Sequence, residues 1–272
     1  MDIRKENSDG IHRDIITSNR EYKSCLFCFI FGREENKRWT LSLYNSLHGT
    51  DYMNIDDLEF TTIENVLYIG MKNDLSYVVS DRVRLYDTMN TNEQQSTYNP
   101  NMPLREFMYS ARLFDKYVKK NRYNVYGTHT IPLPIPKLVV LYNGRTDKSD
   151  EIILSLDDAY KEGIVRTLSD NNNGINREAL EVVAERLLIE ASPDISVRVR
   201  MVNINYGHNT ELMGRCRPLE EYAWLVASIR EKNQTMNLSD SVELSIKEMP
   251  GDYEIKSLLV EHIAEVKGMI FE

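Results

Sequence analysis

The chain reads as an α/β protein: a mixed central sheet flanked by helices, with a helical C-terminal extension. Three observations predict this. Between residues 104 and 120 an apolar stripe recurs at helical spacing through Leu104, Phe107, Met108, Ala111, Phe114 and Val118, with Pro103 suited to the first turn. Two short strand-like runs, Val66 to Met71 and Leu75 to Val79, precede that helix across the tight break Lys72-Asn73-Asp74. A further apolar run, Lys137 to Tyr142, follows it and closes on the turn pair Asn143-Gly144. A strand reached across a helix runs parallel to its partner, so the sheet is mixed.

Each remaining element follows from local pattern. Glu21 to Phe31 reads as a mostly apolar helix ending at Gly32, and Glu34 to Leu47 as a second. In that second helix Trp39, Leu43 and Leu47 recur four residues apart, Glu34 and Glu35 suit its start, and Gly49 suits its end. Asp81 to Asn90 is less regular. Asp170 to Gly174 reads as a loop, Arg177 to Ala191 as an amphipathic helix, and Leu219 to Lys232 as another. Ser196 to Asn203 alternates in strand fashion, with Val197, Val199 and Met201 opposite Arg198 and Arg200. Asn233 to Ser239 reads as a linker, and a helical stretch broken at Met249-Pro250-Gly251 runs from Ser241 to the end. The expected division is a flexible N-terminus at 1–20, a main domain at 21–232 and a helical C-terminal tail at 233–272.

At 272 residues and 42% apolar content the chain is long enough for one large domain. No run of about 18 apolar residues is present, so no membrane span is expected. The first residues, Met1 to Asn7, lack the apolar stretch of a signal peptide, and the three cysteines are too few and odd in number for a disulfide framework. A cytoplasmic location follows as the expectation. Cys25 and Cys28 have the spacing of half a zinc site, but the only other cysteine is Cys216, and the pair sits in an apolar segment as buried small hydrophobes do.

The net charge of −9 looks wrong for a nucleic-acid enzyme, but its distribution is uneven. From Met102 to Arg145 there are eight Lys and Arg against two acids, Glu106 and Asp115. A solvated helix face is the plain alternative for these cations.

The candidate site lies at 64–105. Asp74 opens an apolar strand, and Glu93-Gln94-Gln95 lies nineteen residues on. Two carboxylates brought together on neighbouring strands repel, which signals a cation between them or a shared proton. Glu93 and Gln95, two apart, share one face of a strand. The alternative is that Asp74 caps a turn and Glu93 is a surface strand residue.

These residues resemble a known family. Asp, a spacer and Glu-x-Gln before a helix is similar to the PD-(D/E)XK nuclease superfamily in its Gln-for-Lys form. The wording is closer still to the recombination-promoting nuclease/transposase branch. The resembling strings are Glu64 to Tyr68, Lys72-Asn73-Asp74, Glu93 to Arg105 (with Ser96-Thr97-Tyr98-Asn99-Pro100-Asn101-Met102-Pro103 as the most specific part), Pro136 to Gly144 and Asn203 to Asn209. They stand in family order over about residues 20 to 232, and the order helix, three strands, helix, strand is that of the nuclease core.

The resemblance implies a Mg²⁺-dependent endodeoxyribonuclease acting on double-stranded DNA and promoting recombination or transposition, with a homo-oligomer compatible. The alternative is a catalytically inactive nuclease fold that binds DNA or a protein partner. Glu64, Asp74, Glu93 and Gln95 would be the catalytic set, and Asp74, Glu93 and the carbonyl of Gln94 the Mg²⁺ ligands. Gln95, an amide where most of the superfamily has Lys, can donate hydrogen bonds to water or phosphate but adds no charge. Asn99, Asn101, Arg105, Arg112, Lys116, Lys119, Lys120 and Lys137 would contact the nucleic acid, the first three at a helix N-terminus, where anions are favoured. Two departures stand out: the strand leading to Glu93 is polar over Met89-Asn90-Thr91-Asn92, and the interval from Asp74 to Glu93 is long. Both predict a slack hairpin that displaces Glu93.

Overall fold

The computed structural model describes residues 26–61, 75–81, 86–171 and 176–268, and of residues 81, 86–89, 93, 94, 171 and 268 the backbone alone. Glu64, Asp74, Cys25 and the strand expected at Val66 to Met71 lie outside the described residues.

The protein is α/β with a mixed six-stranded sheet, in the order β1-β2-β3-β4-β6-β5, flanked by helices. Strands β1 (Leu58–Phe60), β2 (Leu75–Asp81) and β3 (Tyr86–Gln95) form an antiparallel meander. Helix α3 (Met102–Lys120) then crosses the sheet, and β4 (Ile135–Tyr142) returns parallel to β3. Strand β6 (Arg198–Asn203) runs parallel to β4, and β5 (Glu151–Ser155) caps the edge antiparallel to β6. The expected parallel return after the helix is therefore present. The polar stretch read as irregular is not: 86–95 is one strand, paired with β2 at seven consecutive positions from Leu75↔Asn92 to Asp81↔Tyr86. Strand pairing overrides weak local propensity when both faces are covered.

Both faces are covered unequally. One carries the main core, in which Tyr77, Val139, Leu141 and Val202 of the sheet pack on α1 (helical at 26–31), α2 (Lys37–His48) and α7 (Arg217–Lys232). Helix α2 is preceded by a 3₁₀ turn at Glu34–Asn36 and ends on Gly49 in the left-handed region (φ 64°), as its C-terminal glycine requires. The segment expected as a tail forms α8 (Leu238–Glu248), α9 (Glu254–Glu261) and α10 (Ile263–Gly268), and Val242, Ile246, Ile255, Leu259 and Val266 enter the same core. Buried Glu221 holds this corner together: its carboxylate accepts the backbone N–H groups of Glu254 and Ile255, each at 2.9 Å, at the start of α9. The short α6 (Thr210–Arg215) links β6 to α7. Cys216, at the start of α7, is buried, which pushes its thiol up to about 12.

The opposite face carries α3, and here the expected packing is overturned. The residues that α3 buries are Met102, Pro103, Glu106, Tyr109, Ser110 and Leu113. The apolar stripe read from the sequence lies off the core, with Leu104 45%, Phe107 36% and Met108 37% exposed. The face turned inward packs Met102, Tyr109 and Leu113 on the sheet and sets the Glu106 carboxylate against the Thr91 hydroxyl of β3. Helices α4 (Asp157–Asn171) and α5 (Arg177–Ala191) form a hairpin beside β5, closed over Val165, Leu180 and Ala184. No helix among the described residues is long and apolar enough to cross a membrane.

Candidate active site

Parallel β3, β4 and β6 end together along one edge of the sheet. Gln95 pairs with Tyr142, its carbonyl accepts the Asn143 N–H at 2.9 Å, and the Tyr142 carbonyl accepts the Ile204 N–H at 2.7 Å. In open α/β sheets ligands bind outside the carboxyl ends of strands, where loops diverge and backbone groups are free to face a ligand.

The polar strand into this edge is held from both sides. Thr91 Oγ1 donates to Glu106 Oε2 at 2.6 Å, and both residues are buried. Asn92 Nδ2 donates to the Tyr77 hydroxyl at 2.9 Å on the other face. Burial is the largest influence on that phenol and raises its pKa, with the Asn92 hydrogen bond acting against it. Where it is described, the hairpin that a polar strand suggested to be slack is paired at seven consecutive positions, and Thr91 and Asn92 each meet a partner from the layer they face. Glu93 follows directly and its backbone pairs with Val140 of β4. Gln95 is half-buried.

After β3 the chain turns sharply. The Asn99 side chain accepts the Asn101 N–H at 3.0 Å, and α3 begins at Met102 with Pro103 in its first turn. Arg105 lies over the Tyr109 ring, 5.8 Å from its centre, and donates to the Tyr109 hydroxyl at 3.0 Å. Tyr98 is exposed and carries the Lys148 ammonium 4.5 Å from its ring centre. Asn99, Asn101 and Arg105 are thus together at the head of α3, next to the end of β3.

The remaining expected nucleic-acid contacts are not at this edge. Lys119 and Lys116 are fourteen and eleven residues beyond Arg105, about 21 and 16 Å along the helix axis. There Lys116 Nζ donates to the Thr61 carbonyl at 3.1 Å, Lys119 pairs with Asp115 at 2.7 Å and Lys120 pairs with Glu59. These lysines brace α3 against β1 and itself. Arg112 sits midway along the helix. Lys137 is near the start of β4, opposite Asn90 of β3, and lines a cavity at the other end of the sheet. The helical stripe of charge therefore splits into separate places.

The site edge also contains the string Asn203 to Asn209, to which the sequence assigned no role. Asn205 Nδ2 donates to the Gly144 carbonyl at 3.1 Å, and Asn205 Oδ1 accepts from Arg230 Nη1 of α7 at 2.7 Å. Asn203 Nδ2 donates to the Lys148 carbonyl at 2.7 Å, and Asn209 donates to the carbonyls of Asp150 and Asn203. His208 pairs through Nδ1 with Asp150 at 2.8 Å. The string Asn203 to Asn209 thus works as a clamp between the β4–β5 connection and β6. Its signal in the sequence is the asparagine spacing, which matches backbone-bonding turns and loops.

Among the described residues no group of three or more His, Cys, Asp or Glu side chains could hold a metal ion. The acids expected to bind Mg²⁺ fall outside that description, Asp74 wholly and Glu93 in its side chain. The chain matches no protein-family model, no curated protein and no solved structure.

Proposed function

We propose that the chain is a divalent-metal-dependent endodeoxyribonuclease with a PD-(D/E)XK-type core. The observation that carries this reading is a register. Leu75 of β2 pairs with Asn92 of β3, and Asp74 and Glu93 are the covalent neighbours of that couple. The order of elements supports it: an antiparallel meander, a helix, and a strand parallel to the one that bears Glu-x-Gln.

The donor set is all oxygen: two carboxylates and the Gln94 carbonyl, which suits a hard divalent ion. When bound, Mg²⁺ would supply charge neutralisation on the phosphate and an acidified water. Gln95 orients, through its amide, a water or a phosphate oxygen. Arg105 and the first turn of α3 offer a phosphate subsite next to it. Thr91, Glu106, Asn92 and Tyr77 hold β3 in register, so the site residues stand on a strand fixed from both faces.

Nicking of supercoiled plasmid with and without Mg²⁺ tests the reading. Metal-dependent conversion to open circles, abolished in Asp74→Asn and Glu93→Gln, is the expected result. Salt-sensitive plasmid binding with no nicking at any divalent ion would assign an inactive nuclease fold instead.

A further inference from the structure

At the end of the sheet away from Gln95, a cavity of about 710 Å³ opens between α3, β4 and β6. It arises from register. Strands β4 and β6 pair only from Val139↔Arg200 onward, so Pro136, Lys137 and Leu138 stand apart from Val197 and Arg198. The roof is the stripe of α3 that the core does not use: Phe107, Ala111 and Phe114. Its volume falls within the range of small-molecule sites, about 300 to 1,000 Å³.

The charge of the lining is one-sided. Lys137, Arg198, Arg200 and His48 line it, and among the described residues no carboxylate does. Arg200 is committed to Glu151 at 2.7 Å and to the Leu47 carbonyl. Lys137 and Arg198 occupy matching positions two residues before the first β4–β6 pair, and neither side chain has a hydrogen bond or ion pair among the described residues. By the alternation of the strands Lys137 and Arg198 share the face of Val139 and Val202, so they flank the mouth of the gap between β4 and β6 on the side away from α3. Two cations at one apolar-walled opening repel each other, and an anion between them relieves that repulsion.

We propose that this cavity binds a small amphiphilic organic acid: an aromatic or medium-chain apolar body seated under Phe107 and Phe114, with its carboxylate between Lys137 and Arg198. The proposal is independent of catalysis at the other end of the sheet. A phosphodiester backbone fits the same cations less well, because it would leave the aromatic roof without an apolar partner. It also gives Lys137 a place that a DNA contact beside Gln95 does not.

The test uses the full chain, with dodecanoate as the ligand probe, dodecanol as its uncharged counterpart, and an anilinonaphthalene sulfonate dye as fluorescent reporter. We expect dodecanoate to displace one dye per chain and to bind at least about tenfold more tightly than dodecanol. The Lys137→Met/Arg198→Gln pair should remove that difference and leave dodecanol affinity unchanged. Both substitutions are at exposed or half-exposed positions, and far-UV circular dichroism with thermal melting reports whether the fold is kept. Ala111→Trp, at an exposed position on the roof, should fill the space and weaken both probes. The proposal is overturned if dodecanoate and dodecanol bind alike, if binding is many per chain, or if Ala111→Trp leaves dodecanoate binding unchanged. It is also overturned if the double substitution weakens only salt-dependent duplex binding, which would place the two cations on a nucleic-acid surface.

Discussion

Thr91 and Glu106, fifteen residues apart in the chain, are joined at 2.6 Å by a hydrogen bond between two fully buried side chains. This bond ties β3 to α3 two residues before Glu93, on the helix face that also buries Met102, Tyr109 and Leu113. Replacing Thr91 by Val preserves shape and removes a donor from a buried carboxylate, so it should destabilise the protein by about 2 kcal/mol. Urea denaturation measures this. A change below a few tenths of a kcal/mol would mean that Glu106 is not held by Thr91.

Asp74 and Glu93 are expected to carry metal binding rather than folding. On the proposed site Asp74→Asn should melt at or above the metal-free wild type, because removing one carboxylate of such a pair relieves repulsion. Mg²⁺ should raise the wild-type melting point by mass action and leave that of the variant nearly unmoved. Glu93→Gln should behave the same way. Strong destabilisation of metal-free Asp74→Asn with nicking intact would make Asp74 a structural cap.

Arg105 and the distal lysines of α3 should separate in their effects. Lys116, Lys119 and Lys120 are engaged with Thr61, Asp115 and Glu59, whereas Arg105 lies at the head of the helix. Arg105→Ala should lower plasmid nicking by at least about tenfold, the scale of one charge-assisted phosphate contact. The Lys116→Ala/Lys119→Ala/Lys120→Ala triple should stay within about twofold under the same conditions, since exposed ion pairs contribute little.

The Tyr77 phenol predicts an alkaline limit. Its folded-state pKa is raised above the unfolded value of about 10, chiefly by burial. The unfolded chain therefore releases this proton first. The stabilisation is fully present below about pH 10 and is lost as pH rises toward the folded pKa. Denaturant midpoints between pH 9 and 11.5 should fall more steeply for wild type than for Tyr77→Phe, which will be weaker at neutral pH because Asn92 Nδ2 loses its acceptor.

Gly144 is required by close approach. A Cβ there would run into the ring and hydroxyl of Tyr142, whose hydroxyl is itself held by the Thr146 carbonyl at 2.7 Å. Gly144→Ala should destabilise by about 1 to 3 kcal/mol, a cost typical of overpacking, and calorimetry would measure it.

The sequence by itself determined the elements whose signal is local. Pro103 and the periodic apolar residues marked α3, Gly49 marked the end of α2, and the run from Lys137 ahead of Asn143-Gly144 marked β4. It also implied the parallel return of β4 beside β3, because a strand reached across a helix has few other ways to pack. Only the tertiary structure decided the rest. The polar residues Thr91 and Asn92 look ill suited to a buried strand until Glu106 and Tyr77 arrive from other elements to pair with them. The apolar stripe of α3 looks like its buried face, yet Met102, Tyr109 and Leu113 turn inward beside Glu106 and leave Phe107 and Ala111 over a cavity. The basic run on one helix looks like one patch, yet it divides into a head, a braced distal end and, through Lys137, a separate cavity. In each case the deciding partner is far away in the chain, and burial of a polar group is tolerated only where such a partner meets it.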